Sequence, residues 1–276
     1  MSSHPRRTAG VLLASVTALL TAGIPAAAAA TPAPDPKPAP GTTEASKTPA
    51  PQPPVPDPHA TVAVLDLDAG ATTPVIQGED RAYDTASIVK VDILAALLLK
   101  AQDERRALTD EERGHAEPMI KRSDNDAADA LWKEIGQDPG LTAANQRLGL
   151  TSTTAGTSGR WGLTRTTASD QIRLLRAVFD DSARSPLTPD SRAYIRTLMG
   201  EVLPEQSWGV SAVNAAGTEL KNGWLQRTTT GLWDVNSIGE ITLGGHRCLV
   251  AVLSDGSASM SDGVSLVEQA ARTAVA

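Results

Sequence analysis

Residues 86–101 read ASIVKVDILAALLLKA, and the arrangement of the rest of the chain turns on this run. It is apolar almost all round, so it predicts a helix over 86–101 in the middle of the protein rather than on its surface. Before it, TVAVLDL (61–67) reads as a strand, followed by a turn at Asp68–Thr73 and a second short strand near Pro74–Gln77. After it come helical stretches over Thr109–Arg122, Asp126–Ile135, Thr142–Leu148, Thr167–Phe179 and Pro189–Met199. Thr109 with the three acids behind it makes a capped start, and Asp124 is placed to cap the next helix. The pattern then returns to strands at Gly231–Leu243 and His246–Leu253 and closes with a helix over Ser261–Ala276. Strand pair, helical block, strands and terminal helix imply a sheet with both termini on one side and a large helical insertion.

The folded part is shorter than the 276 residues of the chain. Arg6 and Arg7, an apolar run from Val11 to Ile24 and small residues at Ala26–Ala30 read as a cleavable export signal over residues 1–30. Eleven of the 19 prolines then fall between Thr31 and His59, so residues 31–59 read as an extended linker without a core. Residues 60–276 suffice for one domain. The chain carries 25 basic and 32 acidic side chains, net −7, a balance that argues against nucleic acid and anionic lipid as partners. Cys248 is the single cysteine, which excludes an internal disulfide and Cys-rich zinc sites, and no lipid anchor is expected near the cleavage region. No cofactor or metal is expected.

The chain has no Gly-x-Ser-x-Gly elbow, no His-Glu-x-x-His and no phosphate loop. Only His115 and His246 lie inside the domain, one in a charged helical stretch and the other in a Gly-Gly-His-Arg turn, so neither suits a Ser-His-Asp triad. One of the seven lysines, Lys90, has a serine three positions before it, Ser87. That spacing stacks both side chains on one helix face, where burial would lower the lysine's pKa and the helix N-terminus would favour an ionised serine. Taken alone, the pair reads better as a capping serine and a snorkelling lysine.

Two further motifs follow, Ser123-Asp124-Asn125 ahead of a helix and Lys221-Asn222-Gly223 ahead of the strand pair. These three elements in this order resemble the serine penicillin-recognising proteins, the class A β-lactamases and low-molecular-weight penicillin-binding proteins. VAVLDLDAG, LTDEERGHAEPMIKRSDNDAADALW, TTASDQIRLLRAVF and VNSIGEITLGGHRCLVAVLSD extend the likeness over roughly residues 60–276. The resemblance implies an α/β fold of the β-lactamase/transpeptidase type, an antiparallel sheet with flanking terminal helices and an inserted all-helical subdomain. It also implies roles: Ser87 as acylated nucleophile, Lys90 as its base, Ser123 as proton relay and Asn125 as a hydrogen-bond partner of the substrate amide. Lys221 would meet a substrate carboxylate, and the N–H groups of Ser87 and Trp224, the latter just past Gly223, would form the oxyanion hole. Asp124 would be structural, and Trp224 an apolar wall over the substrate.

Three departures qualify these expectations. Ser87 and Ser123 are only 36 residues apart, fewer than class A enzymes use. Asn222 replaces the usual Thr or Ser of the third motif, with a longer amide in the expected substrate-binding set. The stretch AGTSGRWGLTRTT (155–167) contains no acid, and Gly162 stands where a class A enzyme carries its deacylating glutamate. The expected protein is therefore a secreted, wall-associated or extracellular monomeric serine hydrolase, acylated by a β-lactam or related amide or ester and slow to release it. A D-alanyl peptidase or esterase of the penicillin-binding kind, or a non-catalytic cell-wall-binding module, would have the same motifs.

Overall fold

Alternation along the strands builds the two sides of the molecule. The computed structural model describes residues 58–276 apart from Ala183 and Ala215, so the expected export segment and all but the end of the linker lie outside the described residues. The strands are β1 (His59–Asp66), β2 (Val75–Gln77), β3 (Tyr83–Asp84), β4 (Arg165–Thr166), β5 (Glu219–Gln226), β6 (Trp233–Leu243) and β7 (His246–Ser257). Five form an antiparallel sheet in the order β2-β1-β7-β6-β5, and β3 pairs with β4 in a separate ribbon. β1 runs beside β7 from His59 opposite Asp255 to Asp66 opposite Cys248, so the start and end of the domain share the sheet centre. Ala63, Leu65, Leu249, Ala251 and Leu253 point to one face, while Val62, Val250 and Val252 point to the other. This period-two pattern gives the sheet two buried faces.

The second face is covered by the terminal helix, α7 (Met260–Ala274), through Val267 and Ala271. The first meets the helical block: α1 (Val89–Asp103), α2 (Asp110–Lys121), α3 (Asn125–Glu134), α4 (Gln137–Leu148), α5 (Ala168–Phe179) and α6 (Pro189–Gly200). Twelve of the 15 residues of α1 are buried, with α2, α3, α4 and α6 around it, as its largely apolar sequence requires. Burial of each large aliphatic side chain there contributes roughly 1.5–3 kcal/mol. Caps fix where the surrounding helices begin. Thr109 and Glu112 exchange the two bonds of a capping box on α2, and Asp124 accepts from the Ala127 N–H at 2.9 Å to start α3. Among the described residues no helix is long and apolar enough to cross a membrane.

The boundaries depart from the sequence expectation in four places. The run 86–101 opens as a 3-10 turn, Ala86–Ile88, before α1 proper, so Ser87 stands on that turn rather than in the α-helix. α4 begins at Gln137 rather than Thr142, because Pro139 falls in its first turn, where a missing N–H costs nothing. The Lys221 motif lies within a strand, β5, rather than ahead of a strand pair. The β3–β4 ribbon has only two residues in each strand, too few for a periodic signal.

Asp92, on α1, is fully buried, and neither carboxylate oxygen has a hydrogen-bond partner. Burial, reinforced by the charge of Asp170, pushes its carboxyl up to about 8. Its folded pKa thus lies above the unfolded value. The stability tied to this proton is complete below about pH 4 and is lost as pH rises toward 8. Asp92→Asn is expected to flatten that decline and to raise Tm at pH 8 by roughly 5 °C. Thermal melts from pH 5 to 9 check this, and parallel curves for both proteins would refute it.

Candidate active site

The turn that carries Ser87 is held from three sides. Ala86, just before it, has φ of 47°, a left-handed conformation that costs a non-glycine residue about 1 kcal/mol or more and persists only where neighbours enforce it. Asn236, buried in the middle of β6, donates its amide to the carbonyls of Asp84 and Thr85 at 2.9 and 3.0 Å. Gly223 of β5 passes directly against the turn: a Cβ there would come within 2.6 Å of the Ser87 nitrogen and 2.7 Å of that of Ile88. Only glycine allows β5 this close.

Behind the turn lie two buried lysines. The Lys90 amine donates to the Ser123 carbonyl at 2.6 Å, to Asn125 Oδ1 at 2.8 Å and to Ser123 Oγ at 3.1 Å. The Lys221 amine donates to the same Ser123 Oγ at 3.0 Å and to the Asn222 carbonyl at 2.8 Å. Ser123 reaches both because its own φ is 58° and the Pro118 carbonyl, at the end of α2, accepts from the N–H groups of Arg122 and Asp124 on either side. Burial pushes the Lys90 amine down to about 7, with Asp124 and Asp129 opposing the shift. Lys221 is driven well below its ordinary value by burial and by the neighbouring Lys90. One hydroxyl thus sits between two amines that both resist being charged.

In front of the turn opens a cleft of about 730 Å³. Ser87, Asn125 and Trp224 line it, together with Asp129, Arg160, Trp161 and Gly162. Among the described residues Ser87 makes no side-chain hydrogen bond, so the Ser87–Lys90 contact expected from their spacing is not formed in this state; the lysine is held by Ser123 and Asn125 instead. Trp224 also packs on Trp208, ring centroids 5.8 Å apart.

The structure brings Ser87, Lys90, Ser123, Asn125, Lys221 and Gly223 together, with Trp224 on the cleft wall. Asn222 points elsewhere. Neighbouring side chains in a strand face opposite ways, and the Asn222 amide donates to the carbonyls of Gln206 and Trp208 at 2.8 and 2.9 Å. Its place is in tying down the segment before β5, away from the cleft. Two further residues that contact the site escaped the sequence reading. Asn236 was detectable as an amide inside an otherwise apolar strand. Trp161, whose ring lies 5.0 Å from the Lys90 nitrogen and whose indole N–H donates to Asp129 at 2.7 Å, had no local signal. Gly162 lies beside Ala86 and carries no group into the cleft. Among the described residues no cluster of His, Cys, Asp or Glu could hold a metal ion.

Known proteins share this sequence and this shape. A model of the beta-lactamase enzyme family (Beta-lactamase2) matches residues 113–276, more than half of the chain. Proteins of Mycobacterium tuberculosis and Mycobacterium bovis named "Putative lipoprotein LppW" are 31% identical over 170 residues. That match covers 59% of this chain and 53% of theirs, so the chain spans about half the length of these relatives. A class A β-lactamase from Bacteroides cellulosilyticus superposes with a TM-score of 0.65 at 18% identity, over 78% of this chain and 90% of its own. PBP-A superposes equally well at 21% identity, over 79% and 88%, and a variant of it has been captured as an acyl-enzyme with penicillin G. At these identities the structural likeness speaks for the fold.

The orientation of Asn222 has a measurable consequence. Asn222→Ala removes two buried hydrogen bonds and should cost about 2 kcal/mol, lowering Tm by roughly 5 °C. Unchanged melting would return this side chain to the cleft.

Proposed function

The chain belongs to the beta-lactamase enzyme family, and from that premise we propose that it is an active-site-serine hydrolase acylated at Ser87. The observation that carries the proposal is the buried Lys90, held by Ser123 and Asn125 directly behind the Ser87 turn and brought down by burial to about 7, so that a substantial fraction is unprotonated at neutral pH. A neutral amine at that position takes the Ser87 proton as the hydroxyl oxygen attacks the substrate carbonyl. The N–H groups of Ser87 and Trp224 receive the oxyanion, where loss of one donor typically costs about 10²–10³ in rate. The C–N bond then breaks, and Ser123, bridging Lys90 and Lys221, delivers the proton to the departing nitrogen. Asn125 divides its polar atoms between Lys90 and the substrate amide. The product of this half-reaction is a Ser87 ester.

The substrate class is a β-lactam or a related amide or ester, and release of the acyl group is slow because position 162 is glycine. A D-alanyl peptidase or esterase of the penicillin-binding kind is the second reading, favoured by the same missing glutamate. The likeness to PBP-A, one variant of which holds penicillin G as an acyl-enzyme, supports acylation of this cleft. The lipoprotein name of the mycobacterial relatives and the export-like first thirty residues support a place in the cell envelope, facing outward.

Intact-mass spectra with penicillin G test acylation. One equivalent of adduct is expected on the unaltered protein and none on Ser87→Ala, and turnover should follow as a burst and a slow phase. No adduct on the unaltered protein would favour a binding module, and fast sustained nitrocefin hydrolysis would refute slow release. Lys90→Ala should lose acylation while remaining folded.

The rate of adduct formation should also rise roughly tenfold from pH 6 to 8, as Lys90 loses its proton. Asp234, a buried residue of β6, is another group near this range, its carboxyl pushed up to about 7 by burial and by Asp84. Asp234→Asn should keep the rise, and its disappearance in that variant would move the titration away from Lys90.

A further inference from the structure

We propose that Asp129 is the base that activates water to release the acyl group from Ser87. The assignment rests on the acylation proposed above. Among the described residues that line the cleft, Asp129 is the one acidic side chain, in a site whose loop carries none. It lies on α3 one turn beyond Asn125, so the two side chains share a helix face about 6 Å apart at Cβ. Asn125 Oδ1 holds the Lys90 amine, which puts the carboxylate on the edge of the polar cluster that serves Ser87.

Trp161 decides how the carboxylate is presented. Its indole N–H donates to Asp129 Oδ1 at 2.7 Å, while Oδ2 has no hydrogen bond or ion pair among the described residues. One oxygen is anchored and the other is open to the cleft. The same tryptophan covers Lys90 at 5.0 Å, so the 160–163 segment joins the acylation base to the proposed deacylation base. The other charged residues lining the cleft are Arg160 and Arg227, the latter just past the end of β5, and Lys90 of α1 feels the Asp129 charge from behind the Ser87 turn. All are basic groups.

In the step itself, a water oxygen attacks the Ser87 ester carbonyl and its proton passes to Asp129 Oδ2. The tetrahedral intermediate collapses by breaking the bond between the acyl carbon and Ser87 Oγ. The Lys90–Ser123 cluster gives a proton to that oxygen and regains one from solvent, Asp129 releases the proton it took to water in the open cleft, and the acyl group leaves as a carboxylic acid. Because one carboxylate oxygen is committed to the indole, the carboxylate has one oxygen to offer, which accords with release that is slow but finite.

The test follows decay of the penicillin G adduct by intact mass after excess antibiotic is removed. Asp129→Asn keeps an acceptor for the indole and removes the base. It should still form the adduct and hold it at least tenfold longer, within the range expected for loss of a general base. Asp129→Ala should likewise trap the adduct, and added formate should restore release by supplying the missing carboxylate. Decay of the Asp129→Asn adduct at the unaltered rate overturns the assignment. So do failure of that variant to form an adduct and an adduct on the unaltered protein that never decays. If the unaltered protein takes no adduct at all, it is acylation that fails, and with it the substrate for this step.

Discussion

Removing the Lys90 amine from water is the constraint on which the rest of the site depends. An ammonium in that position must be surrounded by acceptors or give up its proton, and the protein does some of each. Three acceptors from the Ser123–Asn125 turn surround it, while burial holds it near neutrality. The fold supplies both conditions. α1 can be buried on every side only because the helical block closes around it, and Ser123 reaches it only because α2 ends in a left-handed residue braced by the Pro118 carbonyl. The second lysine raises the stakes: two ammonium groups on one hydroxyl would repel, so Lys90 helps push the Lys221 amine below its ordinary value.

The same economy of space explains the glycine on β5. The turn bearing Ser87 presses on that strand so closely that any side chain at 223 would collide with backbone nitrogens. The next strand in, β6, contributes Asn236, whose amide fastens two carbonyls of the turn's approach. Ser87, the proposed nucleophile, is thus placed by sheet residues distant in sequence, and Lys90 by a helical loop. In the proposed acylation the two lysines behind Ser87 are buried and hydrogen-bonded, while Ser87 itself opens on the cleft. The proposed release depends on what borders the open cleft, where Asp129 is the one acid among the described lining residues.

How far the sequence reveals this follows from where each signal resides. α1 was legible because 12 of its 15 residues are buried, and helix starts at Thr109 and Asp124 were legible because capping chemistry is local. β1 and β7 carry the alternation of a two-faced sheet. β5 was missed because its middle is Lys-Asn-Gly, polar residues selected for the site and for tying down a loop rather than for a strand. The direction of Asn222 depends on which face of β5 it occupies, which the motif alone does not state. Trp161 and Asp129 are 32 residues apart, and nothing in either neighbourhood marks the other. The family likeness suggested the chemistry, and only the three-dimensional arrangement showed which oxygen and nitrogen atoms meet.

The most direct test of the central claim is the titration of Lys90 itself. In protein carrying 13Cε-labelled lysine, the Lys90 resonance can be identified by its absence from a Lys90→Arg variant and followed by NMR from pH 5 to 11. A midpoint near 7 is the predicted result. A midpoint near the ordinary 10.5 would mean that Lys90 stays charged at neutral pH and would contradict its role as the base that activates Ser87.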